Sequence, residues 1–273
     1  MEPDIPKGRE PMAGWIRGRL RVPGKISLPV GAAVFLVLAG QAHAGGVKTL
    51  MEIKGEDGAA MVLVPAGWFI MGADDGDADQ KPRRRVYLDT YYIDKFPVTN
   101  ARFGEADIVY GPRLSGKKSP AVGVSWFLAR DYCRSFRRRL PTEAEWEKAA
   151  RGTDGRVYPW GNRWNGSKLI WRVNSRRGTH PVDRSYSTHR TPFGAADMVG
   201  HVWEWVADRY AEDAYRSASD RNPKGPEKGS ARDLRGGGWM LRNRKFFRTF
   251  HRTAVFPTSQ ANDGGFRCAM DAR

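Results

Sequence analysis

The side chains best suited to chemistry in this sequence are two cysteines, a few histidines and one carboxylate wedged between tryptophans. Cys133 and Cys268 are its only thiols and stand far apart. In an oxidising compartment such a pair either bonds or stays as two buried free thiols. A bond would staple the C-terminal end to the first half of the fold, worth on the order of 4 kcal/mol in the chain-entropy model if it is unstrained. His180, His189, His201 and His251 offer imidazoles to copper or iron, but their spacings match no ligand pattern, so neither metal is supported. His201 and His251 are the candidates for catalysis. Glu204 lies between Trp203 and Trp205, where a carboxylate needs a cation or several donors to offset its desolvation. Asp74, Asp75, Asp77 and Asp79 crowd one charged loop, but no glutamate closes an EF-hand at the right spacing, so the loop reads as solvated.

The N-terminal residues explain why oxidising conditions matter. Arg17, Arg19, Arg21 and Lys25 precede an apolar run from Ile26 to Ala39, and Ala42-His43-Ala44 fits a small-x-small cleavage site. This predicts a signal peptide over residues 1–44, with Met1 or Met12 as the start, and a periplasmic or secreted mature protein. The run is shorter than the roughly 20 apolar residues of a spanning helix, and Pro29 and Gly31 weaken it, so no membrane span is expected after cleavage. Lys and Arg total 46 against 30 Asp and Glu, a formal net charge of +16. Nucleic acid, anionic lipid and acidic proteins all answer such a field. Export argues against nucleic acid, and the clusters Arg83–Arg85, Arg137–Arg139, Arg176-Arg177 and Arg242–Lys245 lack the aromatic interleaving of a binding stripe. They read as a solvated basic face.

The elements that must position these groups are mostly short. Met61 to Gly72 holds two apolar runs split by Pro65-Ala66-Gly67, which predicts a hairpin, and an extended segment follows at Val86 to Phe96. Ser125 can cap a helix that buries Ala129, Tyr132, Cys133 and Phe136 on one face. Thr142 with Glu145 three residues on announces a second helix, ending near Gly152. Beyond it Gly, Pro, Asn and Trp dominate, predicting turns held by buried tryptophans whose indole N–H groups satisfy loop carbonyls. No composition shift divides residues 45–273, which read as one domain.

Arg139-Leu-Pro-Thr-Glu-Ala-Glu-Trp-Glu-Lys-Ala-Ala-Arg151-Gly resembles the central signature of the formylglycine-generating enzyme, or sulfatase-modifying factor, family. Phe69-Ile-Met-Gly72, Phe96-Pro-Val-Thr-Asn100, Tyr158-Pro-Trp-Gly161, Asp197-Met-Val-Gly200, Val202-Trp-Glu-Trp205, Arg235-Gly-Gly237 and Gly265-Phe-Arg267 follow in the family's order. The resemblance implies an α+β, C-type-lectin-like fold with little regular secondary structure. It implies that Cys133 pairs with Cys268. It also implies a calcium site formed by Asp197, Gly200, Val202 and Glu204, for which an arginine beside Glu204 is the competing explanation. The family's oxidases hold copper on two further cysteines after Arg-Gly-Gly, where a gap-free reading puts Leu241 and Phe246. No cysteine lies between Arg134 and Arg267, so copper-thiolate chemistry looks absent. His201 stands for the usual Asn and Gly238 for the usual Ser.

Two functions follow. One is an accessory or binding protein in the periplasm, recognising a partner polypeptide or small ligand; the family includes a protein associated with copper nitrite reductase, though no residue here points to that partner. The other is an oxidoreductase acting on a protein side chain or sulfur substrate through a histidine-based metal site, which requires His201 and His251 to converge with a third ligand. A lectin-like module is permitted by the fold but supported by no sugar-binding motif.

Overall fold

Capping fixes where the two longest helices begin. In the computed structural model, Ser125 Oγ accepts from Leu128 N at 3.3 Å and starts α2 (Trp126–Ser135). Thr142 Oγ1 accepts from Glu145 N at 3.2 Å while the Glu145 carboxylate accepts from Thr142 N at 2.8 Å, so α3 (Glu143–Arg151) opens with the reciprocal box read from the sequence. Gly152, at φ 72, ends it. The structure describes residues 51–104, 114, 116–182 and 190–272; the signal peptide with its cleavage site and His189 lie outside the described residues.

Single-turn helices α1 (Asn100–Phe103) and α4 (Ala214–Ser217) and short strands complete the fold. The strands are β1 (Glu52–Lys54), β2 (Ala60–Val64), β3 (Gly67–Met71), β4 (Arg84–Leu88), β5 (Tyr91–Asp94), β6 (Trp203–Arg209), β7 (Arg232–Arg235), β8 (Thr253–Val255), β9 (Gly264–Phe266) and β10 (Ala269–Asp271). One sheet runs β1-β2-β5-β10, a second β8-β7-β6-β9, and β3 with β4 makes a ribbon. The pairing of β6 with β9 is parallel and the others are antiparallel. The hairpin expected across Pro65-Ala66-Gly67 does not form: β2 joins the first sheet and β3 pairs with β4. The buried Lys148 of α3 accounts for this, since its ammonium donates to the carbonyls of Pro65 and Gly67 at 2.7 and 2.9 Å and holds the connection open as a bend.

The turn-rich stretch after Gly152 is organised as the tryptophans predicted. Trp164 packs edge-on against Tyr158 and Trp171 with centroids 5.4 and 5.2 Å away, and stacks on Phe247. Indole N–H groups find loop carbonyls: Trp160 on Arg163, Trp171 on Gly166, Trp205 on Val124. Cys133 and Cys268 form a disulfide, both sulfurs fully buried, with Cα atoms 5.6 Å apart.

The basic clusters are mostly exposed, as a solvated face requires, with Arg138 the exception. Arg138, from the Arg137–Arg139 cluster, turns inward to Asp57 and Asp94. Deeper in, Arg235 reaches Glu143 at 2.6 Å and Glu147 at 2.7 Å, Arg151 reaches Glu147 at 2.8 Å, and Arg252 donates to Asp233 at 2.8 Å. Burial, reinforced by the Glu143 charge, pushes the carboxyls of Asp208 and Asp233 up. Buried charges survive only when paired and hydrogen-bonded. These paired charges cancel locally, and those of Arg235 tie α3 to the second sheet.

Candidate functional site

The turn from Asp197 to Glu204 carries most of the residues singled out from sequence. Asp197 and His201 sit at φ 54 and 67, the left-handed region that Asn, Asp and His tolerate best among residues with a side chain, which explains why His can stand for Asn at 201. Gly200, at φ 74, brings its backbone against Ile170: a Cβ there would meet the Ile170 carbonyl at 2.6 Å.

Glu204 is fully buried and its carboxylate is taken. Arg267 Nε donates to Oε2 and Arg267 Nη2 to Oε1, both at 2.7 Å, and the Trp146 indole N–H adds a third bond at 2.7 Å. Of the two explanations left open for Glu204, the arginine is the one the geometry supports. Arg267 thus supplies the cation that burial of Glu204 demands, so no calcium ion is needed to explain the buried carboxylate. Asp197 is left as the one remaining carboxylate, with Oδ2 3.4 Å from His201 Nδ1.

Among the described residues the histidines do not build a metal centre. His180 N donates to His201 Nε2 at 3.0 Å, which puts the ring proton on Nδ1 facing Asp197 and leaves no lone pair for a metal. His251 Nδ1 accepts from Gln80 Nε2 at 3.2 Å, with that amide oriented by Asp77, and its Nε2 faces Thr253 Oγ1 at 3.3 Å. The two imidazoles share no partner. Among the described residues no group of three or more His, Cys, Asp or Glu is placed to hold a metal ion. The convergence that the histidine-based oxidoreductase required is not there.

Leu241 is half-buried between the two largest hydrophobic clusters, and Phe246 lies edge-on to His251, centroids 5.0 Å apart. The same region holds a group that sequence reasoning missed. Asp263 is almost fully buried, and burial pushes its carboxyl up to about 6. It faces Gly238, where a Cβ would lie 2.2 Å from Asp263 Oδ2. The run of three glycines at 236–238 was the available signal. Gly238→Ala is expected to cost about 1–3 kcal/mol through overpacking. Denaturant titration in an Asp263→Ala background should find most of that penalty gone, and full additivity of the two changes would refute the contact as its cause.

His251 is held neutral: burial first, then the Arg235 charge, lower it to about 4. The unfolded ring, near 6.5, binds a proton that the folded one refuses, so this contribution to stability is complete above pH 6.5 and is lost as pH falls toward 4. Its size is about 3 kcal/mol. Asp263 acts oppositely, since its raised carboxyl favours folding at low pH and loses that advantage as pH rises from about 4 to 6. The stability difference between wild type and His251→Gln, followed by denaturant melts from pH 7 to 4, is expected to shrink by roughly that amount; a pH-independent difference would overturn the assignment.

The Sulfatase-modifying factor enzyme 1-like domain matches residues 47–272. The chain belongs to the sulfatase-modifying factor family. It is 31% identical over 283 residues to the formylglycine-generating enzyme of Bos taurus, covering 77% of this chain and 74% of that one. It is 34% identical over 242 residues to the serine/threonine-protein kinase pkn1 of Chlamydia caviae, covering 78% of this chain but 38% of that relative's length. The solved structure of PvdO from Pseudomonas aeruginosa superposes with a TM-score of 0.68 at 26% identity, over 83% of this chain and 100% of that one. The family fold and the sequence motifs thus agree over one continuous stretch.

Proposed function

We propose that this chain is an exported member of the sulfatase-modifying factor family that serves in the periplasm as an accessory or binding protein for a partner polypeptide or small ligand, and does not generate formylglycine by copper-thiolate chemistry. The observation that supports this reading most is the fate of its thiols. Both cysteines of the sequence are joined in the buried Cys133–Cys268 bond, and the segment after Arg235-Gly-Gly presents Leu241 and Phe246 packed into apolar clusters. A soft thiolate pair for cuprous copper has no residues to come from. The test is metal analysis of the protein purified from its native compartment, read beside turnover of a cysteine-containing peptide under oxygen. No stoichiometric copper or iron and no peptide oxidation is the expected result. Oxidation that is lost in His201→Ala or His251→Ala would overturn the proposal and make the chain an enzyme with a rebuilt site.

A further inference from the structure

A cavity lies apart from the Asp197–Glu204 turn and from His251. It has a volume of about 650 Å³, and opens between the Leu88–Tyr91 corner, the outer face of α2, the Asn222–Lys224 loop and β7. That volume suits a small-molecule ligand. Neither His201, His251, Leu241 nor Phe246 lines it.

Its walls are unevenly charged. Five cations, Arg130, Arg134, Arg139, Lys224 and Arg232, face three carboxylates, Asp89, Glu145 and Asp271. Two of those carboxylates are consumed by one cation, because Arg139 bonds both Glu145 and Asp271. Asp89 accepts from the Asn222 amide at 2.8 Å. Four cations remain, and among the described residues neither Lys224 nor Arg232 has an ion-pair partner within bonding distance.

Trp126 organises two of them. Its indole N–H is anchored on the Val206 carbonyl at 2.8 Å, which fixes the ring. The Arg232 guanidinium lies 3.8 Å from the ring centroid and that of Arg130 5.2 Å. Arg232 spends one N–H group on the Ala207 carbonyl at 2.6 Å. Arg130 pairs with Asp131, which points out to solvent beyond the cavity lining. Burial and the charges of Arg209 and Arg130, against the attraction of Asp208, pull the Arg232 guanidinium below its ordinary range. Like charges crowded on one fixed indole are relieved by an anion, and planar guanidiniums are the groups that bind oxyanions by paired hydrogen bonds.

We infer that this cavity binds a small anionic ligand bearing carboxylate or phosphate groups, held by Arg232 and Arg130 against Trp126 and by Lys224 at the rim. The site stands whether or not the chain lacks oxidase activity, since it shares no residue with the segment after Arg235-Gly-Gly.

Calorimetric titration of the whole chain at low ionic strength tests this, with citrate as the carboxylate probe and inorganic phosphate as the other. Saturable binding of at least one probe is expected, weakened tenfold or more in both Arg232→Gln and Lys224→Gln, and the stronger probe tells which oxyacid the site prefers. Lys224 is exposed on a loop, so its variant keeps the test meaningful if Arg232→Gln folds poorly. Arg163→Gln, exposed and not part of the cavity lining, removes the same charge and should leave affinity within twofold. Absence of saturable binding for both probes, or an equal loss in Arg163→Gln, would overturn the inference.

Discussion

The Cys133→Ala/Cys268→Ala double variant is expected to lose about 5 kcal/mol of stability and to melt about 10–20 °C lower than the wild type. The estimate follows from the 135-residue separation of the two cysteines, because a cross-link across so long a loop removes more freedom from the unfolded chain than a short one does. The bond joins α2 to the segment between β9 and β10, so no other covalent constraint duplicates it. Scanning calorimetry of the oxidised wild type and the double variant measures the difference, and coincident melting temperatures would refute the assigned role.

Arg267→Met is expected to be nearly as damaging, at about 3–5 kcal/mol, because it leaves the fully buried Glu204 carboxylate with one indole N–H and no counter-cation. Arg267 also donates to the carbonyls of Asp94, Lys95 and Ala196 at 2.9, 3.1 and 2.9 Å, so its loss frees acceptors from three strands and turns at once. Adding Glu204→Gln should recover part of the loss by removing the uncompensated charge. Chelator should leave the wild-type melting temperature unchanged, since the guanidinium already does what a calcium ion would do at Glu204. A clear fall on chelation would restore the ion to the turn.

Local chemistry was the legible part of this fold. Ser125 and Thr142 announce α2 and α3 because a cap is settled by residues three positions away, and the tryptophans of the turn-rich stretch announce their job because no ladder exists there to replace them. The Met61–Gly72 hairpin failed because a remote lysine, Lys148, decides what the Pro65 and Gly67 carbonyls do. Arg138 illustrates the same limit on charge: a cluster of three arginines looks solvated until Asp57 and Asp94 are seen to converge on its middle member. At the site, Glu204 signalled its need for a cation through its flanking tryptophans, but only the parallel pairing of β6 with β9 shows that Arg267 supplies it. The cavity around Trp126 was illegible because its members come from segments far apart in sequence, with no periodicity to link them, and for Asp263 the three glycines at 236–238 marked a close approach without naming the partner.

The order in which the sheets are completed has a kinetic consequence. β9 forms the edge of one large sheet and β10 the edge of the other, and between them lie Arg267 and Cys268. Both sheets therefore wait on the same eight residues, 264–271. Until they arrive, β5 and β6 each present an open edge, Glu204 lacks its counter-ion and Cys133 stays a thiol. The two sheets therefore lock together late in folding, when contacts of very long sequence separation form together.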